Sequence, residues 1–563
     1  MGPPRYARLS FVNSPSEHEP GPEPSGRAPF AMESLASSGQ GDDDRVCIVD
    51  GERNITFGEL DRSANRVANA LAAVGLGADD RVGFLGKNCA EAVELLLGAA
   101  RAGVVATLLN WRLSAAELAY VLGDSTARVV VVTAEFLDVF ASLPAMDHID
   151  HVVVVGGHAD SRSPAAQPWH EWLAAQPGEP GPIVTADTAD TAGDASPDVV
   201  LQLYTSGTTG RPKGAMLTRG GLTACIPDTA ELWQLDRDSV VLCVLPMFHI
   251  AGAGIVAASL WARSCLVIEN DVRPETMLAT IQRHRATNLI LVSVMVQLLV
   301  QSPVSAHADL SSLRTVSYGA APISGQVLRS AVALFGCRMI QPYGLTETTG
   351  VLTVLDEHDH KNAFTPGDEV ALARLQSCGR ARPGVEVRIS DIRTGDALPP
   401  GEPGEVWARS ARLMRGYWNQ PAATADAITA DGWFRTGDVG VVDADGYLSL
   451  LDRLKDTIIS GGENIYPAEV EDALHWHPEV ADVAVIGIPH DTWGETAHAV
   501  VVRTPNSLVD GVTLIAFARE RLAHYKCPTS VEFAEALPRN ASGKVLRRAL
   551  REPHWAGRDR RIN

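Results

Sequence analysis

Apolar residues in the first third of the chain recur at helical spacing between short, β-branched runs. The segment 57–74 predicts an amphipathic helix, with apolar positions three or four residues apart at Leu60, Ala64, Val67, Ala68 and Leu71. A buried strand is predicted at 81–85, a second helix at 91–102, and further strands at 129–133 and 151–155. This alternation of strands and helices predicts stacked βαβ units.

The pattern changes further along the chain. Residues 156–198 are rich in Ala, Pro, Asp and Gly, and we predict a surface excursion there with one short helix near 169–175. Strand-like runs then recur at 199–204, 239–245, 264–268, 288–292 and 315–318. After Gly379 short strands and turns dominate, and near Asp452 a charged, glycine-containing junction leads into a smaller α+β unit.

The composition is that of a globular chain with an excess of acidic residues. The 563 residues are 45% hydrophobic and 21% charged, and 48 Lys and Arg against 68 Asp and Glu give a formal net charge of −20. This charge argues against general binding to nucleic acid or to anionic membranes. Residues 1–45, rich in Pro, Gly, Ser and Glu, predict a disordered N-terminal extension without the apolar core of a signal peptide.

Eight cysteines are scattered along the chain, and none forms a C-x-x-C pair. Neither a zinc ribbon nor a disulfide framework is therefore indicated. No uncharged apolar run reaches the roughly 18 residues that a membrane span needs. We predict a soluble, reduced, cytoplasmic protein, and we leave its oligomeric state open, with a homodimer as one candidate.

A glycine-rich loop follows the predicted strand at 199–204, and residues 204–214 read YTSGTTGRPKG. Its glycines let the backbone approach a ligand closely, and its amides, hydroxyls and lysine can bind phosphate oxygens. Lys213 is followed by Gly214 rather than Ser or Thr, so this is not a Walker loop. A flexible surface turn is the alternative. We predict phosphate binding by Thr205, Ser206, Gly207, Thr208, Thr209 and Lys213.

The string 204–214 resembles the signature of the adenylate-forming enzymes, in particular the fatty-acyl and aryl-CoA ligase branch of the acyl-CoA synthetases. The resemblance extends from about Asp50 to Leu550. It implies an α/β fold in which a large N-terminal domain of stacked α/β layers carries a small β-barrel-like portion and is followed by a mobile, smaller C-terminal α+β lid. Residues 46–452 are accordingly predicted to form the large AMP-binding domain and residues 453–563 the lid.

A second segment, QPYGLTE at 341–347, resembles the adenylate-binding segment of that family. The resemblance implies that Thr346 bonds the α-phosphate, that Tyr343 stacks on adenine and that Glu347 holds Mg²⁺, a hard cation that prefers carboxylate oxygen. A simple helix N-cap at Thr346 is the alternative. Pro342 stands where relatives often carry Gly, which implies a reshaped acyl pocket. The remaining nucleotide contacts predicted here are Gln341, Gly344 and the small residues Gly319, Ala320 and Ala321.

The segment LPMFHIAG at 245–252 resembles the acyl-binding segment of the family. The resemblance implies that His249 borders both the substrate carboxylate and the entry of the thiol, whereas a packed loop histidine is the alternative. The small Ala251, the apolar Ile255 and the lack of a charged side chain in the segment favour a fatty or aryl acid over an amino acid.

Three C-terminal segments complete the predicted site. In GWFRTGD at 432–438, the resemblance implies that Asp438 binds both ribose hydroxyls. In DRLKD at 452–456, it implies that Arg453 contacts ribose or phosphate and that Lys455 is the hinge pivot, against the alternative of a solvated charge cluster. The glycines Gly461 and Gly462 are expected to line a pantetheine tunnel.

Near the C-terminus, PRNASGKV at 538–545 resembles the catalytic lysine loop of the family. Lys544 is implied to lie between the carboxylate and the α-phosphate, where an ammonium stabilises the growing negative charge of the transition state. A surface lysine in a turn is the alternative. The CoA contacts implied by the resemblance are Trp493, Arg112 and Lys526, and Cys527 stands where some relatives carry a further basic residue.

The resemblance therefore predicts a ligase whose partners are a carboxylic acid, Mg·ATP and CoA. Lys544, His249 and Glu347 are the predicted catalytic residues, and Glu347 is also the predicted metal ligand. The products are acyl-CoA, AMP and pyrophosphate, formed through an acyl-adenylate. Transfer of the acyl group to an amine or a carrier protein is the alternative, and a non-catalytic homologue is disfavoured because each predicted motif is intact.

Overall fold

The structure is a computed structural model of the chain. It describes residues 34–37, 41–157, 166–181, 199–205, 211–320, 323, 325–363, 369–454, 456–460, 463–490, 492–539 and 544–556.

The strands of the described residues are numbered in chain order. They are β1 (Val46–Asp50), β2 (Arg53–Thr56), β3 (Arg81–Leu85), β4 (Val105–Leu109), β5 (Val129–Thr133), β6 (His151–Val155), β7 (Ala166–Pro168), β8 (Val199–Thr205), β9 (Lys213–Thr218), β10 (Val240–Cys243), β11 (Cys265–Ile268), β12 (Asn288–Val292), β13 (Thr315–Gly319), β14 (Arg338–Leu345), β15 (Gly350–Leu355), β16 (Arg380–Ala381), β17 (Val385–Ser390), β18 (Gly404–Ser410), β19 (Gly416–Tyr417), β20 (Phe434–Val442), β21 (Leu448–Arg453), β22 (Ile458–Ser460), β23 (Glu463–Ile465), β24 (Val480–His490), β25 (Gly494–Arg503) and β26 (Ser530–Phe533).

The α-helices of the described residues are numbered in the same way. They are α1 (Phe57–Ala73), α2 (Ala90–Ala102), α3 (Ala115–Ser125), α4 (Leu137–Ala141), α5 (Trp169–Ala174), α6 (Arg219–Leu232), α7 (Ile250–Trp261), α8 (Pro274–His284), α9 (Ser293–Gln301), α10 (Gly325–Phe335), α11 (Glu357–Asn362), α12 (Glu369–Arg374), α13 (Pro421–Ala427), α14 (Pro467–His475), α15 (Gly511–Arg519) and α16 (Arg547–Trp555).

Local sequence explains several of these boundaries. Helix α1 begins at a capping box, in which the Thr56 side chain accepts from the Glu59 amide and the Glu59 carboxylate accepts from the Thr56 amide. Helix α2 ends where Gly103 adopts the left-handed conformation, with φ 70°. The parallel strands are buried on both faces, as the fully buried β3 and β4 show, and such strands read as continuous apolar runs.

Two large sheets form the main body. One has nine strands in the order β16-β15-β14-β13-β12-β10-β11-β1-β2, and the other has eight in the order β19-β9-β8-β4-β3-β5-β6-β7. The inner strands of both are parallel, while β9, β15, β16, β19 and β2 pair antiparallel. One apolar core draws on both sheets and on helices such as α1, α2 and α7. The predicted stack of α/β layers is confirmed.

The predicted small barrel is wrong for the described part of the chain. There, β17, β18, β20 and β21 form a four-stranded antiparallel sheet in that order. The edge strands, β17 and β21, do not pair with each other, so the sheet is open. Four strands are too few to close into a barrel. Tyr343 packs against the apolar side of this sheet, beside Ile389, Val406 and Leu448.

A third unit follows the four-stranded sheet. Its strands run in the order β23-β22-β25-β24, with β26 parallel to β25. Its own apolar core includes Ile458, Val470, Val485 and Leu514, and α14 and α16 pack on β24. This unit has the α+β composition that the sequence predicts for the C-terminal part of the chain.

Two predictions at the N-terminal side need correction. The extension was predicted to run to residue 45, yet Leu35 and Ala36 are buried in the main core, and Asp42 forms a buried ion pair with Arg263. The segment 156–198 was predicted to be a surface excursion with one short helix near 169–175. The helix is present as α5, but β7 pairs with β6, and Trp169, Trp172 and Leu173 are buried. Apolar side chains anchor both segments despite their polar composition.

Candidate functional site

The carboxylate of Glu347 is a junction between three elements. A 3₁₀ turn over Thr346–Thr348 follows β14 and places Glu347, which is 8% exposed. Its Oε1 accepts hydrogen bonds from Thr205 Oγ1 at the end of β8 (3.1 Å) and from the hydroxyl of Tyr417 on β19 (3.0 Å). Its carbonyl accepts from the Met414 amide at 2.8 Å. The structure thus brings the predicted metal ligand to the start of the predicted phosphate loop.

Tyr417 is a site residue that the sequence did not reveal. Strand β19 pairs with β9, which begins at Lys213, and the Lys213 ammonium lies 4.9 Å from the centre of the Tyr417 ring. Burial and the nearby charge of Glu347 raise the pKa of the Tyr417 hydroxyl, which keeps it a proton donor. The glycine followed by two aromatic residues at 416–418 is a sequence signal that could have pointed here, but it was not used.

A second carboxylate, that of Asp438, lies at the strand pair β20–β21 and is 4% exposed. Asp438 is the cross-strand partner of Arg453, whose Nε lies 2.7 Å from Oδ1. The Tyr343 hydroxyl donates to Oδ2 at 2.6 Å. Burial, and then the charge of Asp438, raise the pKa of Tyr343 well above its usual value, so this hydroxyl also stays protonated. The structure therefore joins three residues that the sequence assigned to the nucleoside.

The strip predicted to face the purine is closely packed. A side chain at Gly319 would bring a Cβ to 2.8 Å from the Pro342 carbonyl oxygen, and one at Gly344 would bring a Cβ to 1.8 Å from the Gly350 carbonyl oxygen. Ala320 has φ 68°, in the left-handed region. Gln341 on β14 is partly buried. Pro342 itself is a strand residue, paired with Val354.

His249 stands immediately before α7, and its ring contacts that of Phe248, with centroids 4.5 Å apart. Its Nε2 is buried and makes no hydrogen bond within the described chain. Burial, followed by the positive charges of Lys544 and Arg112, lowers the pKa of His249 to about 4. The imidazole is therefore neutral near pH 7, with two cations close to it.

Asn88 holds the acyl segment in place and was missed in the sequence. Its amide nitrogen donates to the Leu245 carbonyl, and its carbonyl oxygen accepts from the Met247 amide, both at 2.9 Å. Ala251 is exposed, but Ile255 is fully buried in the core and does not face an open site. The accessible part of the segment is thus 249–251, after the buried Met247 and Phe248.

The predicted CoA contacts are spread over the surface. Arg112 lies on the Trp111 ring, 4.2 Å from its centroid, and burial lowers its pKa. Trp493 is 53% exposed, and its ring is 6.4 Å from that of His490. Lys526 is engaged by the carboxylate of Glu469 at 2.6 and 2.8 Å. A CoA phosphate at Lys526 would therefore have to compete with Glu469.

Several predicted site residues lie outside the described residues. They are Ser206, Gly207, Thr208, Thr209, Ala321, Lys455, Gly461 and Gly462. Thr346 is described and begins the turn that carries Glu347. Lys544 is described and exposed, and its charge acts on His249.

Comparison with known proteins fits this arrangement. The AMP-binding enzyme family matches residues 35–418, and the AMP-binding enzyme C-terminal domain matches residues 469–544. A feruloyl-CoA synthase of Amycolatopsis sp is 39% identical over 509 residues, which cover 90% of this chain and 95% of that protein. The fatty acid–acyl-carrier-protein ligase ScoC of Streptomyces coeruleorubidus is 36% identical, over 91% of this chain and 94% of that protein.

A solved structure gives further detail. The crystal structure of ATP-bound MatB from Rhodopseudomonas palustris superposes with a TM-score of 0.81 at 31% identity, covering 93% of this chain and 98% of that one. The apo crystal structure of the same protein superposes with a TM-score of 0.71. The chain thus superposes better on the ATP-bound form than on the apo form.

These comparisons establish the class. The chain belongs to the AMP-binding enzyme family. The predicted membership of the adenylate-forming superfamily is confirmed, and so is the prediction of an AMP-forming acid–CoA ligase that uses ATP and CoA. None of the helices in the described ranges has the length and apolarity needed to cross a bilayer.

Proposed function

We propose that this enzyme activates an apolar fatty or aryl carboxylic acid and transfers it to CoA. In the first step the acid carboxylate attacks the α-phosphorus of ATP and pyrophosphate leaves. In the second step the thiol of CoA attacks the carbonyl of the acyl-adenylate and AMP leaves. AMP is a far better leaving group than hydroxide, which is why the acid is adenylated first.

The observation that carries the proposal is the effect of Lys544 on His249. Lys544 belongs to the C-terminal unit and His249 to the main body, yet the charge of one lowers the pKa of the other. The two residues are therefore close enough for their charges to interact across the site. The greater similarity to the ATP-bound structure of MatB supports the same arrangement. In this arrangement Lys544 is placed to stabilise negative charge during attack on the α-phosphate.

The nucleotide would be held by two groups of residues, one around Asp438 and the other around Glu347. Asp438 would accept both ribose hydroxyls, with Tyr343 and Arg453 fixing its orientation through their contacts at 2.6 and 2.7 Å. Thr346 and the loop from Thr205 to Lys213 would receive the phosphates. Gly319 and Gly344 let this strip pack closely on neighbouring backbone, and the purine would lie along the strip.

Glu347 fits the predicted magnesium ligand. It offers a buried carboxylate beside a threonine hydroxyl, and hard oxygen donors of this kind suit Mg²⁺. The hydrogen bonds from Thr205 and Tyr417 both go to Oε1, so neither of them engages Oε2. When bound with ATP, the ion neutralises charge on the phosphate oxygens. Thr205 and Tyr417 hold the carboxylate in position for it.

The class of acid is argued from the environment of His249. The imidazole is neutral at pH 7, and the cations of Lys544 and Arg112 face it, so the substrate carboxylate has positive charge to pair with. The buried Met247 and Phe248 make the rest of this segment apolar. The related feruloyl-CoA synthase supports an aryl acid, and the related carrier-protein ligase supports a fatty acid.

A carrier protein is the second candidate for the acceptor. Lys526 is ion-paired with Glu469, which weakens the case for a CoA phosphate at that position. The relative ScoC bears the name of a fatty acid–acyl-carrier-protein ligase. Arg112 and the exposed Trp493 remain the better candidates for CoA contacts.

Product analysis tests the proposal directly. Purified enzyme would be incubated with Mg·ATP, CoA and a pool of fatty, aryl and alicyclic acids, and the products would be identified by mass. Acyl-CoA species support the proposal and identify the acid. Acyl-adenylate and pyrophosphate without a thioester would move the acceptor to a carrier protein or an amine, and no nucleotide turnover with any acid would contradict the proposal.

Four further predictions belong with this proposal. We place the boundary between the large domain and the lid close to 452/453, because β21 of the four-stranded sheet ends at Arg453 and β22 of the next sheet begins at Ile458. The lid would turn about Lys455 between the two steps. A cytoplasmic location and a homodimer also stay predictions.

A further inference from the structure

Three side chains of the C-terminal unit converge on one point from three separate elements. His498 comes from β25, Glu532 from β26 and His554 from α16. Each offers one ligand atom, and these atoms all lie within 4.8 Å of one another. The proposed reaction uses none of the three residues.

The three ligand atoms lie somewhat farther apart than they would around a bound metal ion. Glu532 Oε2 lies 3.6 Å from His498 Nε2 and 4.0 Å from His554 Nε2, and the two imidazole rings are 4.9 Å apart. Ligand atoms about 2.0–2.1 Å from a tetrahedral Zn²⁺ are about 3.3 Å from each other. The two carboxylate–imidazole separations exceed this spacing by about 0.3 and 0.7 Å, and all three atoms lie within 4.8 Å of one another, so side-chain adjustments on the order of 1 Å would let them share one ion.

His498 supplies an independent indication of a ligand. Its side chain is 7% exposed, and its buried Nε2 has no hydrogen-bond partner in the described chain. A buried polar atom left unpaired is costly, by about 1–3 kcal/mol. The other ring nitrogen, Nδ1, lies 2.7 Å from Ser530 Oγ. A proton on Nδ1, shared with Ser530, leaves the lone pair of Nε2 pointing at Glu532 and His554, as metal-binding histidines commonly do.

We propose that His498, Glu532 and His554 bind a zinc ion. Two imidazoles and one carboxylate are a donor set that zinc accepts, whereas Mg²⁺ prefers oxygen ligands alone. The side chain of Glu532 is 59% exposed, so the site opens to solvent on its side and a water molecule can complete the coordination. The ion gives the buried Nε2 of His498 the partner that the protein does not provide.

The site would fasten the C-terminal helix to its sheet. Helix α16 already contacts this unit through Trp555 Nε1, which donates to the Gly487 carbonyl at 2.9 Å, and through Arg547, which pairs with Glu471 at 2.7 Å. Zinc would add a third attachment at His554, at the end of the helix. Because α16 follows Lys544 by only a few residues, the ion would also limit the motion of the chain that carries this lysine.

Metal binding to the full-length protein tests the proposal. Protein freed of metal with EDTA would be titrated with Zn²⁺ against a chromophoric chelator and, separately, with Co²⁺, whose visible absorption reports tetrahedral coordination. Glu532→Gln and His554→Asn each remove one ligand with a side chain of similar size. Ser530→Ala removes the partner of Nδ1, and His170→Asn alters an exposed histidine of the main body as the control.

We expect one zinc ion per chain in the wild type and in His170→Asn. We expect at least about 100-fold weaker binding in Glu532→Gln and His554→Asn, and about 10–100-fold weaker binding in Ser530→Ala. The Co²⁺ spectrum should lack a thiolate charge-transfer band and should vanish in the two ligand variants. Equal affinities in wild type and ligand variants, or a thiolate band, would place the metal on other residues and overturn the proposal.

Thermal melting of the metal-free proteins serves as the folding control. Both ligand variants should melt within a few degrees of metal-free wild type, and Zn²⁺ should raise the melting temperature of wild type and His170→Asn alone. A wild type that gains no thermal stability from Zn²⁺ would contradict the attachment of α16 by the ion.

Discussion

The Nε atom of Arg453 lies 2.7 Å from Oδ1 of Asp438, across the neighbouring antiparallel strands β20 and β21. Asp438 is the proposed ribose ligand, and Arg453 is the last residue of the strand that leads to the C-terminal unit. The next residue, Leu454, donates its amide to the Gly437 carbonyl at 2.9 Å. The proposed ribose contact and the proposed start of the hinge therefore share one short stretch of backbone.

Removing the charge of Asp438 tests its assignment to the ribose. Asp438→Asn keeps the size of the side chain but weakens its bonds to Arg453, Tyr343 and the ribose hydroxyls. We expect the KM for ATP to rise about 10–100-fold, since hydrogen bonds to a charged group are worth about 1.5–3 kcal/mol, while the KM for the acid changes little. Steady-state kinetics with each substrate varied in turn measures both constants.

The matched control is Asp426→Asn, on the exposed face of α13, which should behave as wild type. An equal rise of both KM values in Asp438→Asn would show a general loss of structure and would contradict a specific contact with ATP.

Tyr417 is expected to orient Glu347 for magnesium. Tyr417→Phe keeps the ring beside Lys213 and removes the hydroxyl that donates to Glu347 at 3.0 Å. We expect the rate of ATP–pyrophosphate exchange to fall about tenfold, because one hydrogen bond to a charged acceptor is lost. The Mg²⁺ concentration that gives the half-maximal rate should rise for the same reason.

The control for Tyr417 is Tyr447→Phe, which removes a similar bond from a tyrosine to Asp359 (2.7 Å) outside the site. Exchange should stay near the wild-type rate there. A Mg²⁺ requirement unchanged in Tyr417→Phe would contradict the proposed support of Glu347.

His249 is expected to be neutral throughout the working pH range. Burial and nearby cations lower its pKa to about 4, so His249→Gln should leave the shape of the pH–rate profile of adenylation unchanged between about pH 5.5 and 8.5. An inflection near pH 6 that disappears in His249→Gln would contradict this assignment.

The same pKa predicts the sign of an effect on stability. The unfolded chain binds a proton at His249 near pH 6.5, whereas the folded protein does so only near pH 4. Acidification through this window therefore favours the unfolded state, and the contribution of the neutral imidazole is lost as the pH falls. We expect the melting temperature of wild type to drop more between pH 7 and pH 5 than that of His249→Gln.

Local patterns in the sequence predicted the frame of the fold. Strands such as β3, β5, β6 and β12 have the bounds that their apolar runs predict, because both faces of a parallel strand are buried. Strand β4 was missed. It follows the apolar helix α2 after a single glycine turn, and a short apolar run beside a buried helix carries no distinct periodicity.

Contacts between distant parts of the chain could not be predicted in this way. Asp42 and Arg263 are 221 positions apart, and neither has a local pattern that names the other. Tyr417 reaches Glu347 only because β19 joins the edge of a sheet through β9. The motifs identified Thr205, Glu347, Asp438 and Lys544 from the sequence. The contacts that orient Glu347 and Asp438 form only when strands distant along the chain pair with each other.

The central claim is that Lys544 serves the first half-reaction and not the second. Lys544→Ala should slow adenylation of the acid at least about 100-fold, because the ammonium stabilises charge that develops only in that step. Thioester formation from supplied acyl-adenylate and CoA should stay within about threefold of wild type, since the lysine takes no part in it. Lys361→Ala, an exposed lysine on α11, should match wild type in both assays.

The most direct measurement is therefore the pair of single-turnover rates of Lys544→Ala, one for each half-reaction, on the same preparation of enzyme. A large loss confined to adenylation is the result that the structure predicts. Equal losses in both half-reactions, or an adenylation rate like that of wild type, would contradict the placement of Lys544 at the α-phosphate.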